Sequence, residues 1–228
     1  MKSESSSVSF DRPALVIDGS GASIFVGLLG TNGKWLAQVH QKSAPLEGLF
    51  TSVESALYSA QCQITDIRSF IYCEGPGSVL GLRLCAMAIQ TWGRLCECAS
   101  TASYLSYNSL ELTAALMVLD IPGINDALLI SDWKKNAWNS ILIKEDQSGA
   151  IVTLDNQAVS NWEKGSLFYL PQRKGWQIVP EHATTLEYSP QRLTEVMQLL
   201  KKTKKIELYA SNMNVFQKWV PQRHRAPE

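Results

Sequence analysis

Two short loops hold the residues best suited to chemistry. The first is Asp18-Gly19-Ser20-Gly21, which follows the apolar run Ala14–Ile17 and precedes a second one beginning near Ser23. A turn of this composition between two strands presents backbone N–H groups to an anion, with Asp18 placed to hold water or a metal beside it. The same residues also suit a plain tight hairpin. The second loop is Glu74-Gly75-Pro76-Gly77-Ser78, leading into Val79-Leu80-Gly81-Leu82-Arg83. Two glycines bracket a rigid proline, Ser78 is placed to cap a helix, and Arg83 projects from that helix's second turn. Such a helix start can receive an anion or a partner's carboxylate. It also reads as a capped strand-to-helix turn whose glycines permit close packing. The dinucleotide fingerprint G-x-G-x-x-G is excluded because the third glycine falls at Gly81, one position late, and no Gly-Lys-Ser/Thr follows to make a phosphate loop of the Walker type.

Other catalytic constellations are missing. His40, His182 and His224 are the only histidines and are far apart in sequence, so no helical His-x-x-x-His metal pair exists. No Gly-x-Ser-x-Gly elbow supports a hydrolase of the Ser-His type. The five cysteines, Cys62, Cys73, Cys85, Cys96 and Cys98, make an odd count within apolar or helical patterns, which suits a reducing compartment. Cys96-Glu-Cys98 has no histidine beside it to complete a zinc site. Lys201-Lys202-Thr203-Lys204-Lys205 reads as the solvated end of a helix, complementing its dipole, or as a contact for tRNA phosphates. Trp133, Trp138, Trp162, Trp176 and Trp219 read as core or interface residues.

The elements that would position these loops follow from periodicity. Ala14–Asp18, Ser23–Leu29 and Lys34–Val39 form a three-strand meander, the last two joined at Asn32-Gly33, a strong hairpin signal. Leu46, Leu49, Phe50, Val53 and Leu57 recur at helical spacing behind Pro45, with Ala56 and Ala60 suggesting a second apolar face. Ser69–Cys73 is a fourth strand, and a helix follows from about Val79 to Cys98. Its stripe is Leu80, Leu84, Met87, Ala88, Thr91 and Leu95, with the small residues Gly81, Cys85, Ala86 and Gly93 elsewhere. The pattern then predicts a helix over Tyr104–Leu119, strands at Ala127–Ser131, Ala137–Ile143, Gly149–Thr153 and Leu167–Leu170, and an amphipathic helix over Gln191–Lys202. The order is β-β-β-α-β-α followed by a second mixed half, so the class is α/β with a duplicated plan.

Composition bounds the partners. The chain has 228 residues, 21 Lys+Arg against 21 Asp+Glu, and 45% hydrophobic residues. That length holds a full core without disulfides or metals, and zero net charge argues against gripping nucleic acid by bulk charge. The serine-rich start has no apolar segment of signal-peptide length. The apolar run Ala114–Leu119 spans six residues, against about 20 for a membrane helix. A cytoplasmic protein with no membrane contact is expected.

At Gly75-Pro-Gly-Ser-Val-Leu-Gly-Leu-Arg83 the sequence resembles the TsaB family, also called YeaZ, whose members carry Gly-Pro-Gly-Ser-Phe-Thr-Gly-Leu/Val-Arg there. Val16–Ser20 looks like the family's opening strand and turn, and Ile64–Ile67 like its Leu-x-Asp-Ile segment. Ser131-Asp132 resembles the start of its Asp-Ala-Arg strand, and Glu207–Tyr209 its C-terminal Pro-x-Tyr-Leu-Arg tail. The resemblance runs in order over roughly residues 14–219. Departures are Gln41-Lys42-Ser43 where the family has His-Ser, Val79-Leu80 for Phe-Thr, Lys134-Lys135 for Ala-Arg, and Ser211 or its neighbour for the tail arginine.

The resemblance implies an actin-like ATPase (ribonuclease H-like) fold of two βββαβα lobes, the second reduced. The expected organisation is a disordered tail at 1–12, a first lobe at 13–102, and a second lobe with its C-terminal tail at 103–228. It also implies a noncatalytic scaffold that dimerises and supports a TsaD-like subunit in making N6-threonylcarbamoyladenosine on tRNA, with tRNA met through the complex. No catalytic residue, metal site or cofactor is expected, and the departures count against ATP–Mg²⁺ binding by this subunit. Candidate nucleotide or phosphate-loop residues are Asp18, Gly19, Ser20, Gly75, Gly77, Ser78 and Arg83. The expected partner interface is Leu49, Val53, Leu80, Gly81, Leu84, Met87 and Ala88, on the two first-lobe helices. The rival expectation is a small-molecule kinase of the same fold, with Asp18-Gly19-Ser20 at the ATP phosphates and Asp132 as base. A peptidase, the third reading, lacks its histidine pair and nucleophile elbow.

Overall fold

The structure is a computed structural model and describes residues 9–96, 102–172 and 177–209. The opening meander forms as the alternation predicts: β1 (Ala14–Asp18), β2 (Ile24–Leu29) and β3 (Trp35–Gln41) are antiparallel neighbours. β1 and β2 are buried throughout, as continuous apolar strands covered on both faces must be. β3 lies at the sheet edge and alternates between half-buried and exposed residues. Its hairpin turns at Gly33, where φ is +76°.

α1 (Pro45–Ser59) starts with Pro45 in its first turn and buries Leu49, Val53 and Ala56. β4 (Ser69–Gly75) then runs parallel to β1, and α2 (Val79–Cys96) crosses back over the sheet. Residues Tyr104–Leu119 are not one helix. β5 (Ser103–Asn108) pairs with the free edge of β4, which supplies its backbone partners. α3 (Ser109–Asp120) begins only where the Asn108 side chain accepts hydrogen bonds from the N–H groups of Leu110 at 2.9 Å and Glu111 at 3.3 Å.

The second sheet repeats the plan of the first. β6 (Ala127–Lys134) is antiparallel to β7 (Ala137–Lys144), which pairs with β8 (Gln147–Ser148) and β9 (Val152–Asp155). After α4 (Asn156–Ser160), β10 (Leu167–Leu170) lies parallel to β6, with β11 (Thr184–Thr185) beyond it. Leu110, Ala114 and Met117 of α3 pack on Leu129 and Ile141 of this sheet. The molecule is therefore α/β, two lobes each built on an antiparallel meander flanked by a parallel strand, the second smaller. That is the actin-like, ribonuclease H-like plan.

The C-terminal helix expected over Gln191–Lys202 is absent. Two short 3₁₀ turns, Pro190–Glu195 and Met197–Leu199, occupy it, and β12 (Lys201–Thr203) pairs antiparallel with β5. The three-residue spacing of Leu193 and Val196 satisfies a 3₁₀ period as well as a helical one, and both are buried beside Leu200 in the first lobe. The first sheet thus reads β12-β5-β4-β1-β2-β3, and two of its strands lie after residue 102. Within the stretch expected as tail, Phe10 packs on the core, the Asp11 carbonyl accepts from Ser69 Oγ at 2.6 Å, and Arg12 donates to the Thr31 carbonyl. Residues 1–8, Cys98 and everything after Tyr209 lie outside the described residues. Among the described residues no helix is long and apolar enough to cross a membrane.

Candidate functional site

α2 has two sides with opposite characters. On its inner side the helix start is pressed into the β1–β2 turn: the Ser78 N–H donates to the Ser20 carbonyl at 2.7 Å. A Cβ on Gly81 would overlap the Gly19 carbonyl oxygen, and one on Gly77 would overlap that of Ser20. Only glycine permits that approach. The Ser78 hydroxyl accepts from the Gly81 N–H at 3.3 Å and its carbonyl from the Leu82 N–H at 2.9 Å, capping the helix as the sequence predicts.

Beneath this junction Asp18 is buried, 2% exposed, and its carboxylate is filled. Oδ1 accepts from the Ser20 N–H at 2.8 Å, and Oδ2 accepts from the phenols of Tyr107 at 2.5 Å and Tyr188 at 2.6 Å. Burial, reinforced by the Asp18 charge, pushes both phenols and the Cys73 thiol well above their ordinary values. The same causes push Cys85 up to about 12. The phenols therefore stay protonated and donate. Tyr188 comes from the second half of the chain and packs on the cores of both lobes, so this carboxylate ties the lobes together.

The candidate phosphate-loop residues thus meet, but mostly within packing. Asp18, Gly19, Ser20 and Gly75 are buried, Gly77 and Ser78 are half-buried, and Arg83 points to solvent. A ligand at Asp18 would have to displace phenol donors. Tyr107 and Tyr188 were not singled out by sequence reasoning, since a lone tyrosine distant in sequence carries no local signal. Among the described residues no three His, Cys, Asp or Glu side chains gather as metal ligands.

The outer side of α2 is open and carries large apolar residues among the exposed Arg83, Gln90 and Arg94. Leu80 and Met87 are 65% and 66% exposed, with Leu95 on the same stripe and Leu84 half-buried. α1 adds Leu46, Tyr58 and Phe50, the last 58% exposed and set edge-on to the Trp92 ring at 5.9 Å. Of the expected interface residues, Leu80, Leu84 and Met87 reach this face. Leu49, Val53, Gly81 and Ala88 do not, because the sheet side of each helix takes them into the first lobe's interior. Leu46, Phe50 and Tyr58 are exposed on α1 and were not among the expected interface residues. A stripe drawn along one helix does not say which flank the sheet will claim.

No protein-family model matches the chain, and no curated protein matches it in sequence. Solved structures do. YeaZ from Pseudomonas aeruginosa superposes with a TM-score of 0.53 at 18% identity, covering 69% of this chain and 74% of that one. A protein described as uncharacterized with similarity to peptidase YeaZ from Pseudomonas aeruginosa gives 0.54 at 18% identity, covering 76% and 84%. The chain shares the YeaZ fold.

Within this YeaZ-like fold the second lobe offers an acid at the position matching Asp18. Asp132 lies near the end of β6 as Asp18 ends β1, and it is 4% exposed. One oxygen accepts from the Tyr169 phenol at 2.5 Å; the other has no hydrogen-bond partner. Asn139 on β7 is wholly buried with neither amide atom paired. The basic segment read as a helix end begins as β12: Lys201 pairs with Glu111 at 2.9 Å, and Lys202, with Lys204 and Lys205 beyond the strand, is exposed. Trp138 is core, donating to Asn156 at 2.7 Å, whereas Trp133 and Trp162 are half-buried. Trp176 and Trp219 lie outside the described residues.

Proposed function

We propose that the chain is a noncatalytic, TsaB-like subunit. It docks through the outer face of α1 and α2 onto a TsaD-like catalytic subunit, pairs with a second copy of itself when alone, and supports N6-threonylcarbamoyladenosine formation on tRNA in the cytoplasm. The observation that carries the reading is the open apolar face of Leu46, Phe50, Leu80 and Met87 on a YeaZ-like fold. Large contiguous apolar surface on a globular protein marks an interaction site, and side chains of this size gain about 1.5–3 kcal/mol each when covered. The filled carboxylate at Asp18 agrees with a subunit that performs no phosphoryl transfer, which relies on several positioned phosphate and Mg²⁺ contacts. No residue here is assigned to chemistry, and tRNA is reached through the complex.

Reconstitution tests this. The purified chain is mixed with a TsaD-like subunit from the same organism, and co-elution and threonylcarbamoyladenosine yield on tRNA are followed with and without ATP and Mg²⁺. A complex whose product yield depends on this chain is expected. A chain that ignores the TsaD-like subunit yet turns over ATP with a small-molecule acceptor would overturn the reading and favour the kinase.

A further inference from the structure

The charges on the outer helical face are sorted by helix. In α1 the charged residues are Glu47 and Glu54, and in α2 they are Arg83 and Arg94. All four are exposed, and among the described residues none of them is in an ion pair. At about 100° per residue, Glu47 and Glu54 stand opposite the buried stripe of Leu49, Val53 and Ala56, beside Phe50. Arg83 and Arg94 flank Met87 in the same way, opposite the buried Cys85 and Ile89. The face therefore pairs an acidic helix with a basic one, each carrying exposed apolar side chains.

The two helices also run in step. α1 joins β3 to β4 and α2 joins β4 to β5, and these three strands point the same way. Both helices therefore run back against the strands and lie parallel to each other. Pro45 packs against Gly81, and Phe50 against Trp92. Glu47, two residues past Pro45, is level with Arg83, two past Gly81. Glu54, four residues past Phe50, is level with the last turn of α2, which carries Arg94.

A second copy seated on this face meets it through a two-fold axis, the usual symmetry of a pair of identical chains. If the axis crosses the helices, α1 lies on α1 and α2 on α2, so acid faces acid and base faces base. If the axis runs along them, α1 of each copy lies on α2 of the other, and Glu47 meets Arg83 while Glu54 meets Arg94. Like charges brought together oppose docking, whereas the matched arrangement draws the copies into register.

We propose that the face takes a second copy of this chain on a two-fold axis parallel to α1 and α2, with Glu47 and Glu54 of each copy paired with Arg83 and Arg94 of the other. This rests on the self-pairing put forward above and adds its geometry and its charge code. Apolar side chains such as Met87 and Phe50 supply the buried cover, and the four charged residues choose the orientation.

The test is a dilution series by light scattering at low salt, with the full chain and two charge-reversed variants, Glu47→Arg with Glu54→Arg and Arg83→Glu with Arg94→Glu. Each variant alone is expected to dimerise about tenfold or more weakly than wild type, because α1 and α2 of facing copies then carry like charge. An equimolar mixture of the two should restore affinity to within about threefold of wild type, which also shows that both variants fold. Variants that each dimerise as tightly as wild type would overturn the arrangement and leave self-pairing standing, since an axis across the helices brings like charges together before and after reversal. Variants that stay weak when mixed would overturn it as well. A wild type that is monomeric at every concentration would overturn both the self-pairing and the arrangement.

Discussion

α2 presents two surfaces that differ in almost every respect. Its inner side, glycine-rich and conspicuous in sequence, is sealed against the β1–β2 turn over a buried carboxylate with three donors. Its outer side, a plain apolar stripe, lies open beside Phe50 and Leu46 of α1. Polar residues in a Gly-rich loop suggest ligand chemistry, yet here their donors and acceptors are largely spent on capping α2, fixing it to the β1–β2 turn and filling the Asp18 carboxylate. The uncovered apolar area is where another molecule can still gain free energy.

That contrast can be broken from the sealed side first. Gly81→Ala forces a methyl group onto the Gly19 carbonyl, and backbone cannot retreat cheaply, so a loss of about 3 kcal/mol is expected in urea unfolding. A gain of about 0.5–1 kcal/mol, as an ordinary Gly→Ala change inside a helix gives, would show that the turn is not sealed. Tyr188→Phe is milder. It takes one donor from the Asp18 carboxylate and should cost about 1–3 kcal/mol. An unchanged midpoint would mean that Tyr188 does not tie the lobes.

The same cluster fixes a pH response. The Cys73 thiol and the Tyr107 and Tyr188 phenols are raised above the ordinary values of 9.0 and 10.0. The folded chain therefore keeps protons that the unfolded chain has lost. Stability is full below those ordinary values and falls as the pH rises beyond them, by about 1.4 kcal/mol per pH unit for each group. Urea unfolding at about pH 8 and about pH 11 should show the fall, and Tyr188→Phe should make it shallower. A flat profile would contradict the buried network. The smallest stability effect belongs to the open side: at a protein concentration low enough to keep the wild type monomeric, Met87→Glu should change the unfolding free energy by about 0.5 kcal/mol or less, since its side chain then touches mostly solvent.

Much of the first lobe was legible because periodicity and turn chemistry agree there. Asn32-Gly33 marks the hairpin, Pro45 the start of α1, and Ser78 the cap of α2. Legibility failed where tertiary pairing overrides local pattern. Tyr104–Tyr107 continues an apolar run into α3 and looks helical, but the open edge of β4 takes it as a strand. Leu193, Val196 and Leu200 carry helical spacing, yet they are drawn singly into the core, and Lys201–Thr203 seals the far edge of the same sheet. At the site, the sequence names Asp18 but not its phenols, which come from 89 and 170 residues away. It names apolar residues on both helices but not which flank the sheet covers: Leu49 and Val53 are buried, whereas Leu46 and Phe50 are exposed.

The most direct test is the solution mass of the chain by light scattering, comparing wild type, Met87→Glu with Phe50→Glu, and Tyr188→Phe. A dimeric wild type, a monomeric double variant whose urea midpoint equals that of the wild type diluted until it is monomeric, and a Tyr188→Phe variant that stays dimeric though less stable are the results this account predicts. A double variant that keeps the wild-type dimer mass, or a wild type that remains monomeric both alone and with a TsaD-like subunit, would contradict it.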